Sequence, residues 1–373
     1  MRRAATFLVT FVLGLMAIGI VILYSTSSAR GADPLFYTKR QCMWLLVALV
    51  IGPVIAKVDY HRWRRLAVPL LVINLVLLGA VFLPVIGTAA KGAARWLKIG
   101  PVRFQPSEMA KLTVIVGLAT WLTRFGRRTS ELKYGLIYPM IPLGLVLGLV
   151  FLEPDFGTTF VTAVVGFMLL FLGGTRFSHL LVTGVVGLVG FAVAVMQDPV
   201  RLARILAFLW PEKYPDQAYH LQQSKIAFIM GGWLGVGLGN SMQKRLYLPE
   251  AHTDFILSIL AEERGFAASL LVLLLFVGVF ICGMTICARA RDPFGRYLAF
   301  GITNMLCMQA AINIGVVTGC LPTKGLPLPF ISYGGSSMLM SVVMVAILLS
   351  VAQYAAGADD DRIHAIRNKG QQL

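Results

Sequence analysis

Charge is what this sequence has least of. Only 13% of its 373 residues are charged, and Asp and Glu together number 17. A soluble domain carries about 25% charged residues, so a freely soluble globular protein is excluded. The hydrophobic share of 57% and a mean hydropathy of +0.78 place the chain in a membrane. Cysteine is sparse too. Cys42, Cys282, Cys287, Cys307 and Cys320 sit inside or at the ends of apolar runs, without CxxC or metal-ligand spacing. That excludes a disulfide scaffold and a zinc site, and leaves the thiols as small membrane-embedded hydrophobes. The sequence has no low-complexity tract and no internal repeat of the transporter kind. No small-residue cleavage site follows the apolar run at 5–24, so this run reads as an uncleaved first span rather than a signal peptide.

What the chain does have is a series of apolar stretches of helical length. Spans are expected near 5–24, 40–56, 67–87, 108–123, 135–153, 157–174, 179–197, 266–288, 297–319 and 338–356. The fold class is therefore an all-α polytopic membrane protein with about ten transmembrane helices. It forms one membrane domain over 1–356, with a long extracytoplasmic loop at about 198–265 and a polar, disordered cytoplasmic tail at 357–373. Basic residues number 33 and the net charge is +16. In this setting the excess speaks for membrane orientation and anionic lipid, not nucleic acid. With the N-terminus cytoplasmic, inner segments hold 17 Lys and Arg and outer segments 16, of which seven lie in the long loop. Short loops decide orientation, and they favour a cytoplasmic N-terminus. With an even number of spans, both termini then lie on that side.

Basic residues nevertheless remain on the outer side: Lys91, Arg95, Lys98, Arg103 and Lys111 in one loop, and Arg201, Arg204, Lys213, Lys225, Lys244 and Arg245 in the long one. They serve either a solvated surface or a site for an anionic ligand such as a lipid-linked diphosphate. Within the long loop, residues 226–243 are free of charge and carry five glycines before Lys244. Glycine at that density favours a re-entrant or interface-lying segment over a span.

Four constellations hold the polar residues that chemistry needs. In Pro249-Glu250-Ala251-His252-Thr253-Asp254, Thr253 is placed as a helix N-cap. Asp254, Ser258 and Glu262 then fall at four-residue spacing on one helical face. A first-turn carboxylate is favoured by the helix dipole, whereas burial works against its charge. Asp254 is thus either a cap or a general base. Glu108 and Lys111, three apart after Gln105-Pro106-Ser107, read equally as a capped helix entry with a local ion pair and as a binding element. Glu153-Pro154-Asp155 puts two carboxylates at an outer turn, where they bind a cation or pair with the basic loops. The prolines and glycines of 321–337 forbid a regular span. Irregular backbone at membrane depth is tolerated where it lines a cavity, which Lys324 and the hydroxyls of Ser332, Tyr333 and Ser336 would then face. His61, His179 and His364 read as solvated, and His220 shares the long loop with Asp254.

The stretches PEAHTDFILSILAEE, QPSEMAK, EPDFGT and LPTKGLPLPFISYGGSS, in this order and over nearly the whole chain, resemble the SEDS proteins (shape, elongation, division and sporulation). GLGNSMQKRLYLPEAHTD and the last stretch resemble the division branch more than the elongation branch. The resemblance implies a SEDS-type fold in the cytoplasmic (inner) membrane and a peptidoglycan glycosyltransferase that polymerises lipid II on its outer face, in septal synthesis. It implies Asp254 as the catalytic base, with Lys324, Arg95 and Lys98 toward the diphosphate and His252, Ser332 and Ser336 toward substrate. It implies a divalent cation (Mg or Mn) without a readable ligand set, no organic cofactor, and partnership with a class B penicillin-binding transpeptidase and divisome membrane proteins. Relatives with an acidic residue where Leu246 stands leave that role without a counterpart here. A lipid II flippase and a non-catalytic scaffold are the rival readings.

Overall fold

The structure, a computed structural model, describes the chain apart from residues 28–34, 84–86, 91–92, 101 and 371–373; at 87–90, 93–94, 99, 102, 246 and 356–370 it describes backbone alone. Twelve α-helices are described: α1 (Arg2–Ser27), α2 (Phe36–Lys57), α3 (His61–Ala80), α4 (Pro106–Phe125), α5 (Tyr138–Leu152), α6 (Phe156–Leu172), α7 (Phe177–Met196), α8 (Pro199–Leu209), α9 (Pro215–Gly231), α10 (Ile256–Ala288), α11 (Pro293–Val317) and α12 (Gly335–Gly370). Ten of them fall on the ten expected spans. Among the described residues, eight helical stretches are long and apolar enough to cross a membrane, and α6 is a shorter apolar helix. The tenth, α4, carries Glu108, Lys111 and Arg124 and is buried along most of its length.

Several starts are written in the sequence. Proline stands at the first turn of α4, α8, α9 and α11, where its missing N–H costs no hydrogen bond. Asp155, Asp198 and Asp292 cap α6, α8 and α11 by accepting from first-turn amides.

The bundle is organised around its C-terminal helices. In the apolar stretch of α12, 83% of a span-length window is buried, and in α11 61%, against 11% in α7 and 17% in α3. α12 packs on α2, α10 on α1 and α11, and α11 on α4 and α6. The large apolar side chains left exposed on α2, α3, α5, α7 and α10 face outward, as lipid-facing helices require.

Three regions show detail beyond the span pattern. The loop before α4 is not all irregular: it folds into a small antiparallel sheet, β1 (Gly87–Ala90), β2 (Ala93–Ile99) and β3 (Val102–Phe104), in the order β1-β2-β3. Residues 226–243 do not form one continuous helix. α9 ends at Gly231, and a loop follows in which Gly235, Gly237 and Gly239 take positive φ. A Cβ on Gly235 would collide with the main-chain oxygen of Glu263. Glycine therefore lets this loop lie backbone to backbone on α10, with Val236 N donating to Glu262 O (2.9 Å) and Gly237 N to Glu263 O (3.0 Å). α10 itself is broken at Gly265 (φ 75°) into a nine-residue N-terminal piece and the long span. The backbone of the expected tail continues α12 to Gly370; its side chains and residues 371–373 lie outside the described residues, as does the side chain of Leu246.

The contacts sort the connections into two ends. At one end lie the C-terminus of α1, the start of α2, the sheet, the α5–α6 turn, the long loop and the α11–α12 loop, all joined by the hydrogen bonds given below. At the other, Tyr60 donates to Asp292, His61 lies between Asp59 (2.7 Å) and Asp292 (3.6 Å), and Ser350 Oγ donates to Val58 O (2.6 Å). His61 is thus held in place rather than simply solvated.

Candidate active site

Asp254 is not in a helix. α10 starts at Ile256 with Phe255 as its N-cap and no side-chain cap, and the first turn holds no acidic residue. The reason is tertiary. The main-chain carbonyls that would begin a helix are taken by neighbours: His252 O accepts from Tyr333 N (3.0 Å), Thr253 O from Ser332 Oγ (2.6 Å) and Asp254 O from Asn313 Nδ2 (2.8 Å). The Thr253 hydroxyl bonds Glu250 instead of capping (3.1 Å to Oε2). Asp254 therefore does not share a helical face with Ser258 and Glu262. Ser258 pairs with Ser224 (2.7 Å) inside the bundle.

This arrangement holds the Asp254 carboxylate, partly buried, against the α11–α12 loop. A Cβ on Gly325 would lie 2.8 Å from Asp254 Oδ2, so Lys324-Gly325 passes directly over the carboxylate. Asn313, 2% exposed, fixes both walls at once by donating to Asp254 O and to Leu326 O (2.7 Å). Gln309, one turn earlier on α11, donates to Pro327 O (2.8 Å) and accepts from Lys111 Nζ (2.8 Å). Gln41 of α2 donates to Ser332 O (3.2 Å) and accepts from Gly334 N (3.2 Å). Three polar side chains inside apolar helices hold the irregular loop in shape, which is why it needs no regular secondary structure.

Lys324 extends the site toward α6. Its ammonium lies 4.8 Å from the Phe160 ring centroid and 5.5 Å from that of Phe191. Burial pulls its pKa down to about 8, and the nearby Asp155 opposes the shift. Gly157, at the start of α6, has no room for a Cβ beside Leu326, so the loop is packed on that helix. Asp155 caps α6 through Thr158 N (3.1 Å) and also accepts from Ser107 Oγ (3.1 Å) and Gln105 Nε2 (3.2 Å), tying the starts of α4 and α6 together. Glu108 and Lys111 form a buried ion pair (2.7 Å), which is the capped-entry reading of that motif.

Arg95 comes to the same place by a β-bulge. Thr88 pairs with Trp96 and Ala89 with Ala94, so Arg95 is the extra residue on β2. A bulge re-aims its side chain, and the guanidinium donates to the carbonyls of Glu153 (3.0 Å) and Pro154 (2.6 Å). Arg201 of α8 stacks 3.6 Å over the Phe156 ring and pairs with Asp198 (2.9 Å). Burial lowers its pKa; Asp198 opposes the shift, while the like charges of Arg95 and Arg204 add to it. Four cations from three segments, Arg95, Arg201, Arg204 and Lys324, thus gather beside the loop that covers Asp254.

The other residues expected to bind substrate are placed differently. Lys98 is exposed on β2, opposite Arg103 of β3. His252 is buried, its ring stacked on Tyr37 (4.2 Å) and near Tyr333 (5.9 Å). The Ser332 hydroxyl is engaged in the loop, donating to Thr253 O and accepting from Leu328 N (2.8 Å). Ser336 is 1% exposed in the first turn of α12. Lys244, counted among the outer cations, is buried in an ion pair with Glu263 (2.7 Å) that also engages Ser25. Glu262 accepts from Ser241 and from Met242 N (2.8 Å). Both glutamates fasten the glycine loop to α10 and are no part of the site. Among the described residues no group of three or more His, Cys, Asp or Glu side chains is placed to hold a metal ion.

Comparison with known proteins gives a consistent result. The FtsW/RodA/SpoVE family model, described as cell cycle protein, matches residues 5–357. A probable peptidoglycan glycosyltransferase FtsW of Trichlorobacter lovleyi is 42% identical over 350 residues, 92% of each chain. That of Legionella pneumophila is 39% identical over 92% of this chain and 89% of its own. Among solved structures, a chain from a peptidoglycan synthase complex that coordinates polymerization and crosslinking superposes with a TM-score of 0.78 at 30% identity, over 93% of this chain and 97% of that one. The rod shape determining protein RodA of Thermus thermophilus superposes with a TM-score of 0.69 at 29% identity, over 93% and 95%.

Proposed function

The chain belongs to the FtsW/RodA/SpoVE family of cell cycle proteins, and on that premise we propose that it is the lipid II polymerase of septal peptidoglycan synthesis, with Asp254 as its base. It is a peptidoglycan glycosyltransferase, as its curated relatives are named. One observation carries the assignment to this site. A carboxylate is held by main-chain hydrogen bonds at the meeting of two loops, with Gly325 against it and Lys324, the preceding residue, turned toward α6, where Arg95 and Arg201 also lie.

Glycan polymerisation needs those parts. The acceptor sugar hydroxyl attacks the anomeric carbon of the donor; its proton passes to Asp254, the new C–O bond forms, and the bond to the lipid diphosphate breaks with inversion to the β-1,4 link. A positioned general base contributes about 10²–10⁴-fold to such a step. Negative charge grows on the departing diphosphate, and fixed cations stabilise it most where water is scarce. Lys324, Arg95 and Arg201 are suited to that role.

The site end is assigned to the extracytoplasmic side of the cytoplasmic membrane, with both termini cytoplasmic, because the short loops of the opposite end hold most of the short-loop Lys and Arg. A class B penicillin-binding transpeptidase and other division proteins are the proposed partners, supported by the likeness to a chain of a synthase complex.

The test is incubation of the purified chain with lipid II, with and without such a partner, and separation of glycan strands by length. Polymer confirms the reading. Transfer of labelled lipid II across vesicles with no lengthening would replace it with a flippase.

A further inference from the structure

Glu153, at the C-terminal end of α5, has no part in the mechanism above. Its side chain is fully buried, and neither carboxylate oxygen has a hydrogen-bond partner. Potential partners stand close by and are turned elsewhere. Arg95 spends Nε and Nη2 on the main-chain carbonyls of Glu153 and Pro154. Asp155, on the same turn, takes its donors from Thr158, Ser107 and Gln105. Leaving an ionised carboxylate buried without a donor costs far more than leaving a neutral acid there. An ionised carboxylate beside a guanidinium would instead form the charge-assisted, two-pronged pair that such groups favour.

We propose that Glu153 is held as an uncharged carboxylic acid, and that its neutrality keeps the Arg95 guanidinium available to the anionic substrate. Glu153 is a positioning residue acting through Arg95. This rests on the diphosphate-binding role given above to the cation cluster.

The charges around it make the consequence specific. Arg95 faces it from β2 and Asp155 from its own turn; Lys324 faces Asp155 from the α11–α12 loop; Arg201, paired with Asp198, and Arg204 face Arg95 from α8; Glu108 and Lys111 on α4 are paired with each other. Ionisation of Glu153 would remove one positive charge from the cluster and give Arg95 an internal partner that competes with the diphosphate. Burial and the charge of Asp155 raise its pKa to about 8, with Arg95 opposing. The acid therefore loses its proton as pH rises through about 8, within a range an assay can cover.

The experiment compares Glu153→Gln with the unaltered protein from pH 7 to pH 9. Lys324 also titrates near pH 8 and weakens both proteins in that interval. Across it the neutral fraction of an acid of pKa about 8 falls roughly tenfold. KM for lipid II should accordingly rise about tenfold more in the unaltered protein than in the Gln variant, with kcat following the same course in both. Infrared difference spectra supply a readout without substrate: a carboxylic-acid C=O band present at pH 7, titrating near pH 8 and missing from Glu153→Gln. Superimposable KM profiles, or absence of that band at pH 7, would overturn the proposal. If the unaltered protein makes no polymer at any pH, the polymerase reading fails instead, and the infrared titration still decides the state of Glu153.

Discussion

Removing Glu263 should damage the protein far more than removing it together with its partner. Glu263 and Lys244 are 0% and 3% exposed at the side chain and lie 2.7 Å apart, with Ser25 Oγ donating to both Glu263 oxygens and accepting from Lys244 Nζ. Glu263→Ala leaves an ammonium buried with a single hydroxyl. Loss of one member of a buried pair costs about 3–5 kcal/mol, and the Ser25 hydroxyl forfeits its acceptor for about 1 kcal/mol more. Folded proteins have only about 5–15 kcal/mol in all, so the variant should melt well below the unaltered protein. Replacing both residues by methionine removes the uncompensated charge, and such swaps are close to neutral. The assay is thermal unfolding in one detergent of the unaltered protein, Glu263→Ala, Lys244→Met and the double methionine variant. The single variants should be the least stable, and the double should recover most of the loss, a coupling of about 2 kcal/mol or more. If the double variant is as unstable as the sum of the singles, the pair is not what fastens the glycine loop to α10.

Further predictions concern the site itself. Gly325→Ala should lower the polymerisation rate about tenfold or more while leaving the melting temperature within error. Its Cβ would lie 2.8 Å from Asp254 Oδ2 and displace the base, and a shift of about 1 Å in reacting geometry is enough for such a loss. Lys324→Met should raise KM for lipid II about 10–100-fold, the worth of one charged hydrogen bond. Lys324→Arg, which keeps the charge, should lose less. Folding stability should also respond to Lys324. Its folded pKa of about 8 lies below the usual 10.5, so the unfolded chain binds more protons between those values. Stability contributed at this position rises with pH from about 8 to 10.5, and Lys324→Met should flatten that rise in melting curves.

The span pattern was legible because length and apolarity suffice to fix it: ten helices fall where ten were expected. The Pro106 start of α4 was legible for the same local reason. What escaped was decided by contacts distant in sequence. Thr253 has the chemistry of a cap, but Ser332, Tyr333 and Asn313 take the carbonyls around it, and the helix starts three residues later. Arg95 and Lys98 look alike in sequence until a bulge sends one of them to the α5–α6 turn. Lys244 reads as an outer charge and Glu262 as a helical-face neighbour of Asp254; the burial of Lys244, Glu262 and Glu263 follows from glycines that bring two backbones together. Gln309 and Asn313 carried a signal that went unused, polar residues one turn apart in an apolar span.

The central claim is that the Asp254 carboxylate accepts the proton of the attacking hydroxyl. Asp254→Asn keeps the size and the main-chain hydrogen bonds of residue 254 and removes the base. Strand lengths made from lipid II by the purified variant, beside its melting curve, test this directly. The expected result is no polymer above background from a protein that melts with the unaltered one; glycan strands formed at the unaltered rate would show that the base lies elsewhere.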